Sequence, residues 1–241
     1  MTESKTFPAI IVGASIALAA LIFGLFYYFA QATAATNNVL LVTGSAKTQV
    51  TSDKAKLVMS ISRIAPVSSL AAGYGGLARD LNLVNALLEE QGMAPNGKVE
   101  SPIFMNQIYE QNSGNEIRYQ LSQTISVQSD DVNKITEISK AVPSLASQGA
   151  VVSIQSLEYF YSKLPDLRVS LLTEAVKDAK ARADKIAEGT GRGVGNIQSA
   201  SSGVVQVLSS DSVEVSDYGS YDTTNIEKDV MVTVKASFRL K

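Results

Sequence analysis

Apolar residues fall along this chain in three rhythms, and each rhythm predicts a different kind of element. The first is unbroken: no residue from Phe7 to Ala30 carries a charge. As a helix rising 1.5 Å per residue, this segment reaches about 36 Å, against about 30 Å for the hydrocarbon core of a bilayer. Residues 7–30 are therefore expected to span a membrane in contact with lipid. Ala30-Gln31-Ala32 has the small-x-small form of a cleavage site, but the apolar part of a signal peptide is only about 7–15 residues long. Retention as a signal-anchor is the expectation. Lys5 precedes the span, which favours a cytoplasmic end at residues 1–6 and a body outside. Gly13, Ala17, Ala20 and Gly24 recur at helical spacing, a stripe of small residues along which membrane helices can approach closely and associate. Residues 31–38 read as a linker and 39–241 as the body.

The second rhythm is alternation. Val39 to Ala46 and Lys56 to Ile64 predict two strands, the latter with Leu57, Met59 and Ile61 on one face. Val99 to Glu110 and Glu116 to Ser129 predict a hairpin turning at Asn112-Ser113-Gly114-Asn115. Further strands are expected over 151–161 and 196–208. The last strand is the cleanest, with Val230, Val232, Val234, Ala236, Phe238 and Leu240 on one side. Aromatic residues in these strands, Tyr109, Tyr119, Tyr159, Phe160 and Tyr161, suit a core or a protomer interface.

The third rhythm is helical. Leu70, Tyr74, Leu77, Leu81, Val84 and Leu88 predict a helix opening at Pro66 and ending near Gln91, with Gly73, Gly75 and Gly76 each weakening its early turns by about 1 kcal/mol. Asp130 or Asp131 caps a helix carrying Ile135, Ile138, Val142 and Leu145, with Gly149 ending the connection. From Pro165 to about Glu188, Ala175, Ala179, Ala183 and Ala187 recur every four residues, a helix packing face suited to lying tight on a sheet or another helix. Charges on that helix pair at the same spacing, Asp178 with Arg182 and Lys180 with Asp184. The order ββαββαβαββ places the body in the α+β class with largely antiparallel pairing.

Composition narrows the chemistry. The chain has no His, Cys or Trp, which removes Ser-His-Asp and Cys-His catalysis, zinc sites built on those ligands, and thiol redox chemistry. A net charge of -2 without a basic cluster gives no footprint for nucleic acid. Gly189 to Gly195 is glycine-rich but follows a helix and enters a strand, the reverse of a phosphate loop. Asp211, Glu214, Asp217 and Asp222 lie in a Ser-, Asp- and Tyr-rich stretch, 209–224, without the spacing of a calcium loop. Asp178 and Asp184 sit about 120° apart around their helix and do not converge. No catalytic, cofactor or metal residue is assigned, and the chain reads as a non-enzyme.

The body resembles the SIMPL-domain family of bacterial envelope proteins. The resemblance is carried by Val42-Thr43-Gly44-Ser45-Ala46 leading into Ser52-Asp53-Lys54-Ala55, by the strand from Tyr119 to Val127, by Gly149-Ala150, and by the alanine-faced helix with Gly191 and Gly195-Asn196-Ile197 after it. It covers about residues 39–241. It implies an α+β module without catalytic positions that assembles into homo-oligomers, including large rings, with a role in envelope or oxidative stress or in contact with an envelope protein partner. With the N-terminal segment, the expected location is the bacterial cell membrane, single-pass, with the body on the extracytoplasmic side. The alternative is a binding module presenting 209–224 to a protein or envelope polymer.

Overall fold

The computed structural model describes residues 6–34, 38–93, 95–109, 116–210, 212 and 218–241. Helix α1 (Thr6–Ala34) is followed by β1 (Val39–Thr51), β2 (Lys54–Pro66), α2 (Leu70–Glu90), β3 (Lys98–Glu100), β4 (Phe104–Ile108) and β5 (Arg118–Ser129). Then come α3 (Val132–Ala141), β6 (Val152–Phe160), α4 (Leu164–Glu188), β7 (Val194–Ser202), β8 (Gln206–Ser209) and β9 (Glu227–Leu240). The class is α+β, and the registered strand pairs are antiparallel. The chain divides into two compact units: residues up to Ser45 with Glu174–Gly203 and Thr233–Lys241, and Ala46–Thr173 with Val204–Val232.

The second unit is built on a five-stranded sheet in the order β3-β5-β2-β6, with β4 also alongside β5. Alternation and register together make its core. Leu57 stands opposite Val127 and Met59 opposite Ile125, all buried, and Leu77, Val84, Ile135 and Ile138 of α2 and α3 join them in one cluster. The other face carries Val58, Ser60, Ser62, Ser122, Thr124 and Ser126, all half-buried. A smaller core gathers Leu171, Val207, Val230 and Val232.

Several boundaries differ from the sequence expectation: β1 runs to Thr51 and not Ala46, α3 gives way at Val142 to a 3-10 segment that carries Leu145, and four others differ for a local reason. Pro66 ends β2 and does not open a helix: its backbone is extended, it stands opposite Arg118, and Val67 N–H donates to Ile117 at 3.0 Å. A 3-10 turn, Val67–Ser69, then precedes α2. The strand expected over 99–110 is interrupted at Pro102, which has no N–H to give. Ser101 bridges the gap, its N–H donating to Thr124 O and its Oγ accepting from Thr124 N–H, both at 2.9 Å. The strand expected over 196–208 breaks at Gly203, where an added Cβ would lie 2.4 Å from Thr233 Oγ1. Helix α1 runs on to Ala34, through half of the expected linker, on residues compatible with helix. The turn at Asn112 to Asn115 lies outside the described residues.

The glycines of α2 have a packing role that propensity alone does not show. A Cβ on Gly73 would lie 2.6 Å from Ala65 Cβ, so glycine sets the distance between helix and strand. Asp131 is the cap of α3, accepting from Lys134 N–H at 3.0 Å. In the first unit, Ala175, Ala179, Ala183 and Ala187 of α4 are buried, and Gly44 of β1 lies directly over two of them. Asp178 accepts from Ser45 N–H at 2.8 Å and from Arg182 Nε at 2.8 Å, while Lys180 pairs with Asp184.

Candidate functional site

Along strand β9 the apolar side chains buried at 230, 232, 234, 236 and 238 share one parity, which continues back to position 228. That position is a lysine with no exposed surface. Its Nζ donates to the backbone carbonyls of Asp222 at 2.6 Å and Asn225 at 2.5 Å, and lies 3.7 Å from Asp222 Oδ2. Burial lowers the pKa of Lys228 below that of a free lysine, with Asp222 acting in the opposite sense. Burial pushes Asp222 up, but hydrogen bonds from the Thr224 hydroxyl and backbone N–H and from Asn225, with the charge of Lys228, outweigh it and hold the carboxyl at about 2.

The ammonium therefore stands at the centre of a strap of chain preceding β9. The strap is tied at further points. Tyr159 N–H donates to Thr223 O at 2.7 Å, Ser52 donates to Ile226 O through both N–H and Oγ, and Tyr221 forms a bridge with Val207. Beside it opens a cleft of about 610 Å³ lined by Gln49, Tyr159, Ser209, Ser210 and Thr224 to Glu227. Lys228 is not a nucleophile for that cleft, since its side chain is enclosed and its donors are aimed at carbonyls.

A second charged arrangement lies in the same unit. Asp80 of α2 is buried and receives Arg63 in a two-pronged pair, Nε to Oδ2 at 2.7 Å and Nη2 to Oδ1 at 2.6 Å. Arg63 also donates to Gly149 O at 2.5 Å, which fastens β2 to α2 and to the chain entering β6. A carboxylate so paired serves position, not proton transfer.

The third feature is the outer edge of the five-stranded sheet. Strand β4 pairs with β5 and, among the described residues, with no other strand. Phe104 is 55% exposed and Met105 47% exposed, with Ile103 before them and Tyr109 after them also exposed. Residues 101–109 contain no charge. Edge strands are ordinarily guarded by charge, proline or a bulge; Pro102 and the break beside it guard the approach to β4, and β4 itself has none of these.

The residues singled out by sequence fall as follows. Gly13, Ala17, Ala20 and Gly24 are exposed on α1, and a Cβ on Gly13 or Gly24 would meet nothing within 4 Å. Ile16, Ala19, Phe23 and Tyr27 line a shallow groove with Ala20 and Gly24. The side chains described on α1 are those of 13–29, and among the described residues no helix is long and apolar enough to cross a membrane. Asp211, Glu214 and Asp217 lie outside the described residues, and Asp222 is committed to the Lys228 strap. Among the described residues no three acidic groups gather for a metal. The stretch 209–224, read as one exposed loop, is thus fastened over 220–224. Sequence reasoning passed over Lys228, although the parity of β9 marks it. Nothing in the spacing of Arg63 and Asp80 announces their pair.

With this geometry in hand, a family model described as SIMPL, protein of unknown function (DUF541), matches residues 40–238. The chain belongs to the SIMPL family. The match reaches into both compact units of the SIMPL body and begins beyond α1, which lies wholly outside it. No curated protein matches the chain. Among solved structures, the SIMPL chain is similar to an amidase of the hydantoinase/carbamoylase family from Burkholderia multivorans, at 16% identity over 49% of this chain and 29% of that one, with a TM-score of 0.27. It is likewise similar to a putative amidohydrolase/peptidase from Burkholderia cenocepacia, at 16% identity over 50% and 31%, TM-score 0.27. A third similarity is to the regulatory subunit of aspartate kinase from Thermus thermophilus, at 15% identity over 79% and 88%, TM-score 0.17. The chain spans less than a third of the two Burkholderia proteins' length.

Proposed function

We propose that this SIMPL protein is held in a bacterial cell membrane by residues 7–30, presents residues 39–241 on the extracytoplasmic side, and works by assembling with copies of itself and not by catalysing a reaction. One observation carries the reading: large apolar side chains stand exposed in contiguous sets on α1 and along β4. Contiguous apolar surface beyond a few hundred Å² marks membrane or protein contact in a folded chain. On α1, Ile16, Leu21, Ile22, Phe23 and Phe26 are exposed on several sides of the helix, the distribution expected where lipid is the surrounding medium. On β4 the exposed set is narrow and lies on a sheet edge, which suits another protein surface. A part in envelope stress follows the family resemblance.

The test is the mass of the full-length protein in mild detergent beside that of a chain beginning at Asn37. Two discrete oligomers are expected, with the full-length protein remaining in membranes after alkaline extraction. A full-length protein extracted as a soluble monomer would overturn both parts.

A second reading is favoured by the cleft beside the strap, whose lining mixes amide, hydroxyl and carboxylate groups with Tyr159. It makes the body a binding module for an envelope polymer or protein. Concentration-independent monomers of the Asn37 form would select it.

A further inference from the structure

The self-association just proposed leaves its contact unspecified, and β4 specifies one. The geometry points to antiparallel pairing of β4 with the β4 of a second copy across a two-fold axis at Asn106, joining two five-stranded sheets edge to edge. This inference rests on the self-assembly reading and adds its contact and symmetry.

The argument begins with the backbone. In a strand, every second residue turns its N–H and C=O toward one neighbour and the residues between turn theirs the other way. Strand β4 is paired with β5 from Phe104 opposite Ser122 to Ile108 opposite Arg118. Among the described residues its outward-turned groups therefore form an open ladder edge, a template for another strand.

Sequence then selects the strand that fits. Phe104-Met105-Asn106-Gln107-Ile108 reads nearly the same in both directions: apolar ends, a polar centre, and two long unbranched side chains between. In the antiparallel register centred on Asn106, Phe104 faces Ile108 of the other copy twice, Met105 faces Gln107 twice, and the two Asn106 amides meet on the axis. Directly opposed residues share a face at about 4.5–5.5 Å between Cα atoms, close enough for these contacts. Moving the axis to Met105 sets Phe104 against Asn106 and loses both apolar pairs.

Charge agrees with this choice. Residues 101–109 are uncharged, so a two-fold mate brings no like charge against itself, the usual penalty of self-pairing. Among the described residues of this edge, Lys98 and Glu100 of β3 carry charge and pair with each other at 2.7 Å. The contact also covers the exposed surface of Phe104 and Met105, the apolar part of the edge. A symmetric contact of this kind closes on itself, which makes dimers and leaves other surfaces to build anything larger.

The chain has no cysteine, so one introduced thiol reports on the axis without background. Full-length Asn106→Cys, oxidised in mild detergent, is expected to give a disulfide-linked dimer, because opposed Cα atoms fall within the reach of a disulfide. Asn82→Cys, exposed on α2, is expected to give much less. In parallel, Asn106→Lys and Asn106→Glu are each expected to weaken dimerisation of the Asn37 form about tenfold by placing like charges on the axis. An equimolar mixture of the two should restore it. Equal cross-linking of the two cysteine variants, or no recovery on mixing, overturns the β4 contact. If the wild-type protein is an oligomer while this happens, assembly stands through another surface. If the wild-type protein is itself a monomer, the proposed function falls with the contact.

Discussion

Replacing Lys228 by Met tests whether a single buried ammonium holds the strap over Asp222 to Asn225. Met keeps an unbranched stem of similar length, so the packing along β9 is largely retained and the charge is what is lost. Two hydrogen bonds from the ammonium, at 2.6 and 2.5 Å, disappear, and the carbonyls of Asp222 and Asn225 are left without it. Hydrogen bonds to a charged group contribute about 1.5–3 kcal/mol each. Relief of the lysine's desolvation offsets part of that loss. Breaking a buried charge pair by removing one partner costs about 3–5 kcal/mol, and the lower figure applies here because Asp222 keeps Thr224 and Asn225. About 3 kcal/mol in a body of this size is a fall in Tm of roughly 6–12 °C. The measurement is thermal and urea unfolding of the Asn37 form, with hydrogen exchange followed at Thr224 and Asn225. A fall of less than about 2 °C with unchanged exchange would refute the reasoning, since the strap would then be held by its backbone ties alone.

The pH dependence follows from the partner of that lysine. Asp222 is held at about 2 in the folded protein against an ordinary 3.8, so its contribution of about 2 kcal/mol is fully present above pH about 5 and is lost as pH falls toward 2. Asp222→Asn should flatten the acid limb of the stability profile; an unchanged limb would remove Asp222 from the account. Gly44→Ala should destabilise by about 3 kcal/mol or more, because the new Cβ would lie 2.2 Å from Ala175 O and 2.4 Å from Ala179 N. Gly75→Ala, with nothing within 4 Å of its Cβ, should stabilise by about 0.5–1 kcal/mol, and thermal unfolding of the two variants reads both signs.

Alternation and helical spacing placed the principal strands and helices of the body, because burial on one face writes itself into the sequence with a period. Strand β5 and the face of α4 are clear cases: Leu121, Ile125 and Val127 are buried, as are Ala175, Ala179, Ala183 and Ala187. Interruptions were harder to place, since Pro102 and Gly203 act through partners on other strands that have no period of their own. The glycines of α2 show the limit of propensity. They read as weakness, whereas Gly73 is demanded by the approach of Ala65. Lys228 was legible in principle, as a charged residue on the buried parity of β9, and its meaning depended on Asp222 and Asn225 folding back over it. Arg63 and Asp80 meet through the packing of β2 on α2, which no spacing announces.

The meeting of Gly44 with Ala175 and Ala179 bears on how the sequence can drift. Where large side chains touch, an enlargement on one element can be answered by a reduction on the other, and volume is conserved between them. At Gly44 the nearest atoms are the carbonyl oxygen of Ala175 and the amide nitrogen of Ala179, and a carbonyl or an amide cannot be made smaller by substitution. No second mutation in α4 can make room. The position is closed to the pairwise exchanges by which cores ordinarily diverge, and a chain that loses this glycine must move the helix or lose the contact.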